Sequence, residues 1–298
     1  MLVRAWLLAV FALLFIGIGA CAPDTDTPSE APNTDIHLAT YSVDDDRLVL
    51  DTPVNRTQRT GYDNQPQFTP TGASFLYTSE RAGATDIYEW PLEANTPQAR
   101  TVTETSEYSP TPRTDTTFTV VRVEDDGAQR LWELPMGSNF DETLPLPDVE
   151  PVGYFAWADP DRVAMFVLGE PNTLQWADLD AGTVDTLRTD IGPSLQALPH
   201  TDHAISAVDR TQDGDSLIVV RSPTDIEVHA PAFAGDADHA WTPDGHLLMT
   251  SGTALYQWEA ETAEWCEVYD WAPATPSRIA VSPTEQKLAI VVAPPDDV

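Results

Sequence analysis

Residues 240–258 read AWTPDGHLLMTSGTALYQW: an aromatic residue and a Thr-Pro-Asp-Gly turn, then an apolar run, a Gly turn and a second apolar run. Short apolar runs bounded by Gly, Asp and Pro are typical of β-strands joined by hairpins. Related patterns recur as QFTPTGASFLYTSERAGATDIYEW at 67–90, EYSPTPRTDTTFTVVRVEDDGAQRLWEL at 107–134 and RIAVSPTEQKLAIVV at 278–292. The stretch is therefore one copy of an internal repeat.

The copies follow one another at a period of about 40 residues, a length typical of a four-stranded repeat unit. When the copies are aligned on the turn after the aromatic residue, the equivalent positions are Pro70, Pro110, Asp159, Pro243 and Pro283. The third step is roughly twice the others, and residues 197–208, ALPHTDHAISAV, supply the missing turn and strand. A second landmark, an apolar residue in a later strand, recurs at Ile87, Leu131, Leu174, Ile226 and Leu255. The sequence therefore contains six units.

Six such units, without sustained helical periodicity, predict an all-β, six-bladed β-propeller with four antiparallel strands per blade. The first and last units are incomplete. Residues 35–50 match the second landmark with no turn before it, whereas residues 277–293 have the turn and the next strand only. We expect the N-terminal strands to complete the C-terminal blade, because a shared blade removes two open sheet edges. An open solenoid, or five blades with a loose tail, is the alternative.

The aromatic-x-Pro-x-Gly motif, followed by an apolar strand and Asp-Ile-Tyr, resembles the repeat of TolB-type six-bladed propellers. Residues 65–90 and 238–258 carry the resemblance best, and it extends over residues 35–298. It implies a single propeller domain over 35–298. The N-terminal domain that precedes the propeller in TolB has no counterpart here, so the contacts of TolB with its own partners are not carried over.

The N-terminal segment resembles a bacterial lipoprotein signal peptide, predicted over residues 1–20. Arg4 precedes an apolar run from Leu7 to Ile18, which is short for a membrane span of roughly 20 residues. Small residues then precede Cys21, the expected site of lipidation. An ordinary signal peptide or an uncleaved anchor is the alternative. By resemblance to a bacterial sorting pattern, Ala22 favours the outer membrane, and residues 21–34 predict a disordered tether.

The charge of the chain is strongly acidic. The formal net charge is −33, the sequence pI is about 4.1, and Lys287 is the one lysine. The absence of a basic face excludes nucleic acid as a partner, and an anionic lipid surface would repel the domain, so only a lipid anchor would hold it at a membrane. An Asp-rich, Lys-poor surface indicates adaptation to high salt, with an ordinary acidic secreted protein as the alternative.

Enzymatic function is the second hypothesis, because propellers also occur in hydrolases and lactonases. The G-x-S-x-G elbow of α/β-hydrolases does not occur in the sequence, and no carboxylate set typical of a lactonase metal site stands out. Residues 200–203, His-Thr-Asp-His, have zinc-ligand chemistry but occupy a predicted turn. Neither a metal nor a cofactor is expected. Cys266, in a predicted strand, is expected to be a buried structural thiol.

The loops that enter the inner strands are expected to surround the mouth of the central channel. Tyrosine, amide and arginine side chains there suit contact with a protein or peptide. The candidate partner-binding residues are Tyr62, Asp63, Asn64, Gln65, Glu107, Tyr108, Tyr154, Asp238, His239 and Arg278. The leading hypothesis is a monomeric, lipid-anchored, non-catalytic propeller of the bacterial cell envelope that binds an envelope protein or peptide. A purely structural envelope component is a third hypothesis.

Overall fold

The computed structural model describes residues 32–81, 83–137, 141–201, 203–235 and 237–295. Within these ranges the chain forms 24 β-strands and no helix. Accordingly, no helix in the described ranges has the length and apolar character needed to cross a membrane. The predicted signal peptide and Cys21 lie outside the described residues.

The strands are short and follow one another at hairpin spacing. The first twelve are β1 Asp35–Asp44, β2 Arg47–Leu50, β3 Val54–Asn55, β4 Asp63–Phe68, β5 Ser74–Glu80, β6 Thr85–Pro91, β7 Gln98–Ala99, β8 Ser106–Pro112, β9 Thr117–Val123, β10 Gln129–Pro135, β11 Val152–Trp157 and β12 Arg162–Val167. The last twelve are β13 Thr173–Asp178, β14 Thr183–Thr189, β15 Ile191–Ala197, β16 Ile205–Asp209, β17 Ser216–Ser222, β18 Asp225–Pro231, β19 His239–Trp241, β20 Leu247–Ser251, β21 Ala254–Glu259, β22 Glu264–Asp270, β23 Thr275–Val281 and β24 Lys287–Ala293.

The strands form six antiparallel sheets, which are the blades of a closed ring. Blades 1 to 5 begin with the inner strands β4, β8, β11, β15 and β19, and blade 6 begins with β23. Each inner strand contacts the inner strands of both neighbouring blades. In the described residues blade 2 has three strands, and a bridge between Glu133 and Thr143 takes the place of a fourth. The prediction of a six-bladed propeller is confirmed.

Blade 6 joins the two ends of the chain, as the incomplete first and last units predict. Its strand order is β23-β24-β1-β2. Strand β1 pairs antiparallel with β24 from Asp35 opposite Val292 to Thr40 opposite Lys287, and β3 pairs with the same half of β1. The ring is therefore closed by main-chain hydrogen bonds between the ends of the chain, which excludes the open solenoid.

The glycines of the repeat occupy the turns between its strands. In blade 5 the N–H of Gly245 donates to the carbonyl of Thr242 at 2.9 Å and closes the turn between β19 and β20. Gly245 has a φ of 93° and Gly252, in the next hairpin, a φ of 56°. Glycine adopts these angles without a steric penalty. Both glycines of the quoted stretch thus mark a reversal between two strands.

In blades 3 and 5 the tryptophan before the turn links its blade to the preceding one. Trp157 at the end of β11 donates its Nε1–H to the hydroxyl of Thr119 on β9 at 3.1 Å. Trp241 at the end of β19 makes the same bond to Ser206 on β16 at 2.9 Å. The indole thus supplies packing area between blades and satisfies its own polar atom. Phe68, at the same point of blade 1, has no polar side-chain atom and contributes packing alone.

Two predictions about individual elements need correction. Pro110, which the sequence aligns with the turn after the aromatic residue, lies inside the inner strand β8, because the register shift after Tyr108 places it where blade 1 has Pro66. Cys266 is half-buried rather than buried, with its Sγ 3.9 Å from Nη2 of Arg47. It lies on β22, the outer strand of blade 5, which pairs with a single neighbouring strand, β21.

Candidate functional site

The inner strands of all six blades surround one small central cavity with a volume of about 70 Å³. Each strand, or the residue directly before it, contributes a polar side chain to the wall. These are Gln65, Ser109, Tyr154, Ser194, Asp238 and Arg278. Three prolines, Pro66, Pro110 and Pro193, also line it. The cavity is concave, of mixed polarity and formed by the rigid part of the fold, as small-molecule and peptide sites commonly are.

Irregular backbone places Gln65 and Ser109 in the wall. Both have positive φ, 54° and 53°, and each precedes a proline. The pairing of each inner strand with its neighbour shifts register at these positions. A non-glycine residue with positive φ costs on the order of 1 kcal/mol or more and persists where its surroundings hold it. Here the N–H of Ser109 donates to Oε1 of Gln65 at 2.8 Å, which ties the two positions together.

Arg278 of blade 6 crosses to Tyr154 of blade 3. Its Nη2 donates to the tyrosine hydroxyl at 2.9 Å, and its guanidinium carbon lies 4.8 Å from the centre of the same ring. Its Nη1 is 3.6 Å from Oδ1 of Asp238. Burial works to lower the pKa of Arg278, but Tyr154 and Asp238 raise it well above its ordinary value. Arg278 is therefore a permanent cation at the cavity.

Asp238 is the buried counter-ion of Arg278. It is 3% exposed, and its Oδ2 accepts the main-chain N–H of Ile279 at 2.8 Å. Burial raises the pKa of Asp238, while Arg278, a hydrogen bond from Ser194 and the main-chain N–H groups oppose that rise. The carboxylate thus joins blade 5 to blade 6 and fixes the orientation of the guanidinium.

His239 lies behind Asp238 and is held by two serine hydroxyls. Nδ1 is 2.8 Å from Oγ of Ser194 and Nε2 is 2.7 Å from Oγ of Ser206. Burial lowers the pKa of His239 to about 3. The imidazole is therefore neutral near pH 7 and links blade 4 to blade 5.

Neutral His239 makes folding stability depend on pH. Because the pKa is about 3 in the folded chain and about 6.5 in the unfolded chain, only the unfolded chain gains the proton between these values. We expect this residue to remove about 2 kcal/mol of unfolding free energy between pH 7 and pH 5. His239→Gln should lose that share of the pH dependence in urea denaturation, whereas His200→Gln, at an exposed turn, should keep it. Equal slopes for parent and His239→Gln would contradict the assignment.

Two further buried carboxylates, those of Asp63 and Glu107, lie near the start of inner strands. Oδ1 of Asp63 accepts from Arg59 Nη1 at 2.9 Å and from Ser79 at 2.6 Å. Oε1 of Glu107 accepts from Arg122 Nε at 3.0 Å and from Thr103 at 2.8 Å. Burial raises the pKa of both carboxyls, and these donors oppose the rise. Their contacts hold the chain that leads into β4 and β8.

Comparisons with known proteins agree with this architecture. No family model matches the sequence, and no curated protein matches it. A solved structure of a putative TolB from Agrobacterium tumefaciens matches with a TM-score of 0.65 and 12% identity, covering 89% of this chain and 99% of that chain. TolB from Acinetobacter baumannii gives 0.56 and 14%, covering 90% of this chain and 66% of its own. The fold is that of a TolB-type six-bladed propeller.

The same propeller architecture also occurs in enzymes. The gluconolactonase XC5397 from Xanthomonas campestris matches with a TM-score of 0.59 and 10% identity, covering 89% of this chain and 97% of that chain. Identities this low show the shared fold alone. The choice between a binding protein and an enzyme therefore depends on the residues of the cavity.

The six-bladed propeller brings four of the predicted partner-binding residues to the cavity wall: Gln65, Tyr154, Asp238 and Arg278. The other six are not among the residues that line it. Tyr62, Asn64 and His239 are buried, Tyr108 is half-buried, and Asp63 and Glu107 are the buried anchors of loops. Burial and the neighbouring Tyr154 raise the pKa of Tyr62 well above its ordinary value. Asn64 accepts the N–H of Gln65 at 2.7 Å.

Sequence reasoning missed Ser109, although its Ser-Pro pair occupies the position that Gln65-Pro66 has in blade 1. A polar residue before a proline in the inner strand is the signal that could have found it. At the predicted turn 200–203, His203 contacts Asp159 and lies 3.3 Å from Arg162, while residue 202 is outside the described set. Among the described residues no three His, Cys, Asp or Glu side chains converge as a metal site.

Proposed function

We propose that this propeller is a lipid-anchored, non-catalytic protein of the bacterial cell envelope that binds a protein or peptide at its central cavity. The observation that carries the proposal is the cavity itself, in which Tyr154 and Arg278 meet from opposite sides of the ring. Tyrosine and arginine are the side chains most enriched at binding hot spots. Rigid inner strands present them, so little ordering is needed on binding.

The pair Ser194 and His239 comes nearest to the alternative of a hydrolase. Their atoms are 2.8 Å apart, and Ser194 lines the cavity. However, a general base is effective when its pKa lies near the working pH, and burial lowers that of His239 to about 3. Ser194 is also 2% exposed and accepts the N–H of His239 at 3.1 Å. These contacts suit a structural link better than a nucleophile and its base.

Site-specific photo-cross-linking tests the binding proposal. A cross-linking residue at position 67, where Gln67 lines the cavity and is half-buried, should give a discrete protein or peptide adduct in intact envelopes. The matched control is position 228, where Val228 is 70% exposed on the outer strand β18. No adduct at position 67, or the same adducts at both positions, would contradict binding at the cavity.

Anchoring through Cys21 is part of the proposal, supported by the apolar run and small residues before it. Multiple acyl chains hold a protein stably at a membrane, whereas one chain does so marginally. Cys21→Ser should move most of the protein from the membrane fraction to the soluble fraction, or leave it unprocessed. Cys266→Ser, at the other cysteine, should fractionate like the parent. The proposal fails if Cys21→Ser is processed and fractionates like the parent.

A further inference from the structure

The amide of Gln65 has donor capacity that the described residues do not use. Its Oε1 accepts from Thr78 at 2.9 Å and from the N–H of Ser109 at 2.8 Å, which occupies both lone pairs. Its Nε2 has no hydrogen-bond partner in the described part of the chain, although Gln65 is only 8% exposed. The hydroxyl of Ser109 is unpartnered in the same way. A buried donor without a partner destabilises the fold, and an acceptor in the cavity would recover that loss.

Arg278 has unused donors as well. It is the one cation in the described lining of the cavity, and 18% of its side chain is exposed. Its 3.6 Å separation from Asp238 is longer than the roughly 2.7–2.9 Å of a charge-assisted hydrogen bond. Nη2 donates to Tyr154. Because a guanidinium carries five N–H groups, donors remain for a further acceptor.

The acceptors of the same wall are largely occupied. Gln65 Oε1 has its two donors, Asp238 Oδ2 takes the N–H of Ile279, and Asp238 Oδ1 faces Arg278. The unused capacity of Gln65 and Arg278 is therefore for donation, so a ligand group that meets both of them has to accept. A carboxylate accepts through two oxygens in a plane and matches the planar fork of arginine.

We propose that the central cavity binds a carboxylate group, which accepts hydrogen bonds from the guanidinium of Arg278 and from Nε2 of Gln65. The terminal torsion of glutamine is soft, so a small tilt turns Nε2 toward the cavity. This inference rests on the proposed function. The carboxylate belongs either to the bound peptide, as a chain terminus or an acidic side chain, or to a small carboxylic acid.

Ligand-observed NMR and calorimetry on the full chain in detergent test the inference with paired probes. Acetate is compared with acetamide, and acetylated trialanine with a free carboxylate is compared with its C-terminal amide. Each acid should bind saturably and at least 10-fold more tightly than its amide. Tight binding of acetate identifies a small acid as a sufficient ligand, whereas binding of the peptide acid alone identifies a peptide carboxylate.

Matched variants assign the binding to the cavity. Gln65→Glu keeps the shape and the Oε1 acceptor but replaces the N–H donors with a charged oxygen, and it should weaken the acids at least 10-fold. Gln212→Glu, at an exposed turn, makes the same charge change away from the cavity and should stay within 2-fold of the parent. Ser109→Ala removes an unpartnered hydroxyl without breaking a described bond and should weaken the acids 2- to 5-fold, which keeps the test valid if Gln65→Glu does not fold.

Three results would overturn the inference. If the acid and amide of trialanine bind equally well, carboxylate recognition is wrong while peptide binding by the cavity stands. If Gln65→Glu or Ser109→Ala binds the acids as tightly as the parent does, the assignment of the carboxylate to this part of the cavity wall is wrong. If no probe binds saturably, the carboxylate site is absent, and cross-linking at position 67 then decides separately whether the proposed function fails too.

Discussion

Deletion of residues 35–52 should abolish cooperative folding. These residues form β1 and β2, which complete blade 6 on β24. Ile36, Tyr41 and Leu48 are at most 5% exposed, and burying three such side chains contributes roughly 5–9 kcal/mol. A whole domain is stable by only about 5–15 kcal/mol. The deletion would also leave β24 as an open edge that favours aggregation.

Calorimetry and near-ultraviolet circular dichroism would measure this effect. A point substitution separates closure from chain length: Ile36→Asp should lower the melting temperature steeply, because an unpaired carboxylate would be buried in blade 6. Val43→Asp is the matched control on the same strand, where the side chain is 37% exposed, and it should melt near the parent. A deletion mutant that melts cooperatively at the parent's temperature would show that the ring does not need its N-terminal strands.

The melting temperature should rise by on the order of 10 °C between low salt and 1 M sodium chloride. The chain has 48 acidic against 15 basic residues, and many of the arginines already pair with a carboxylate, as Arg113, Arg162 and Arg221 do. Most carboxylates therefore have no cation. Their mutual repulsion is stronger in the folded chain, where charges are closer, and salt relieves it.

The shape of the salt curve carries further information. Screening alone acts mostly at low ionic strength, because the Debye length falls from about 30 Å at 0.01 M to about 10 Å at 0.1 M. A continued rise above about 1 M would require cation binding or strengthened apolar burial. Potassium chloride should reproduce the low-salt part of the curve. A melting temperature that is flat or falls over this range would contradict adaptation to high salt.

The blade count and the closure of the ring could be predicted from the sequence because their causes are local. Turn residues such as Gly245 and Gly252 mark each strand reversal, and apolar runs of strand length follow them. Two of the recurring aromatic residues, Trp157 and Trp241, have the same structural role, a hydrogen bond to the preceding blade. Each copy of the pattern adds evidence for the same period. A weak copy such as residues 197–208 can therefore be located from its distance to the clearer copies.

The binding site depends on contacts that no local pattern reports. Arg278 and Tyr154 are 124 positions apart and belong to blades 6 and 3, yet they share a hydrogen bond at the cavity. From the sequence, Asp63 and Glu107 would be expected to be exposed loop residues. In the structure both carboxylates are buried and accept hydrogen bonds from arginine and hydroxyl groups. The sequence by itself determined the strands, the turns and the blades. Only closure of the ring decided which polar groups lose water and meet, because that closure brings six distant inner strands around one cavity.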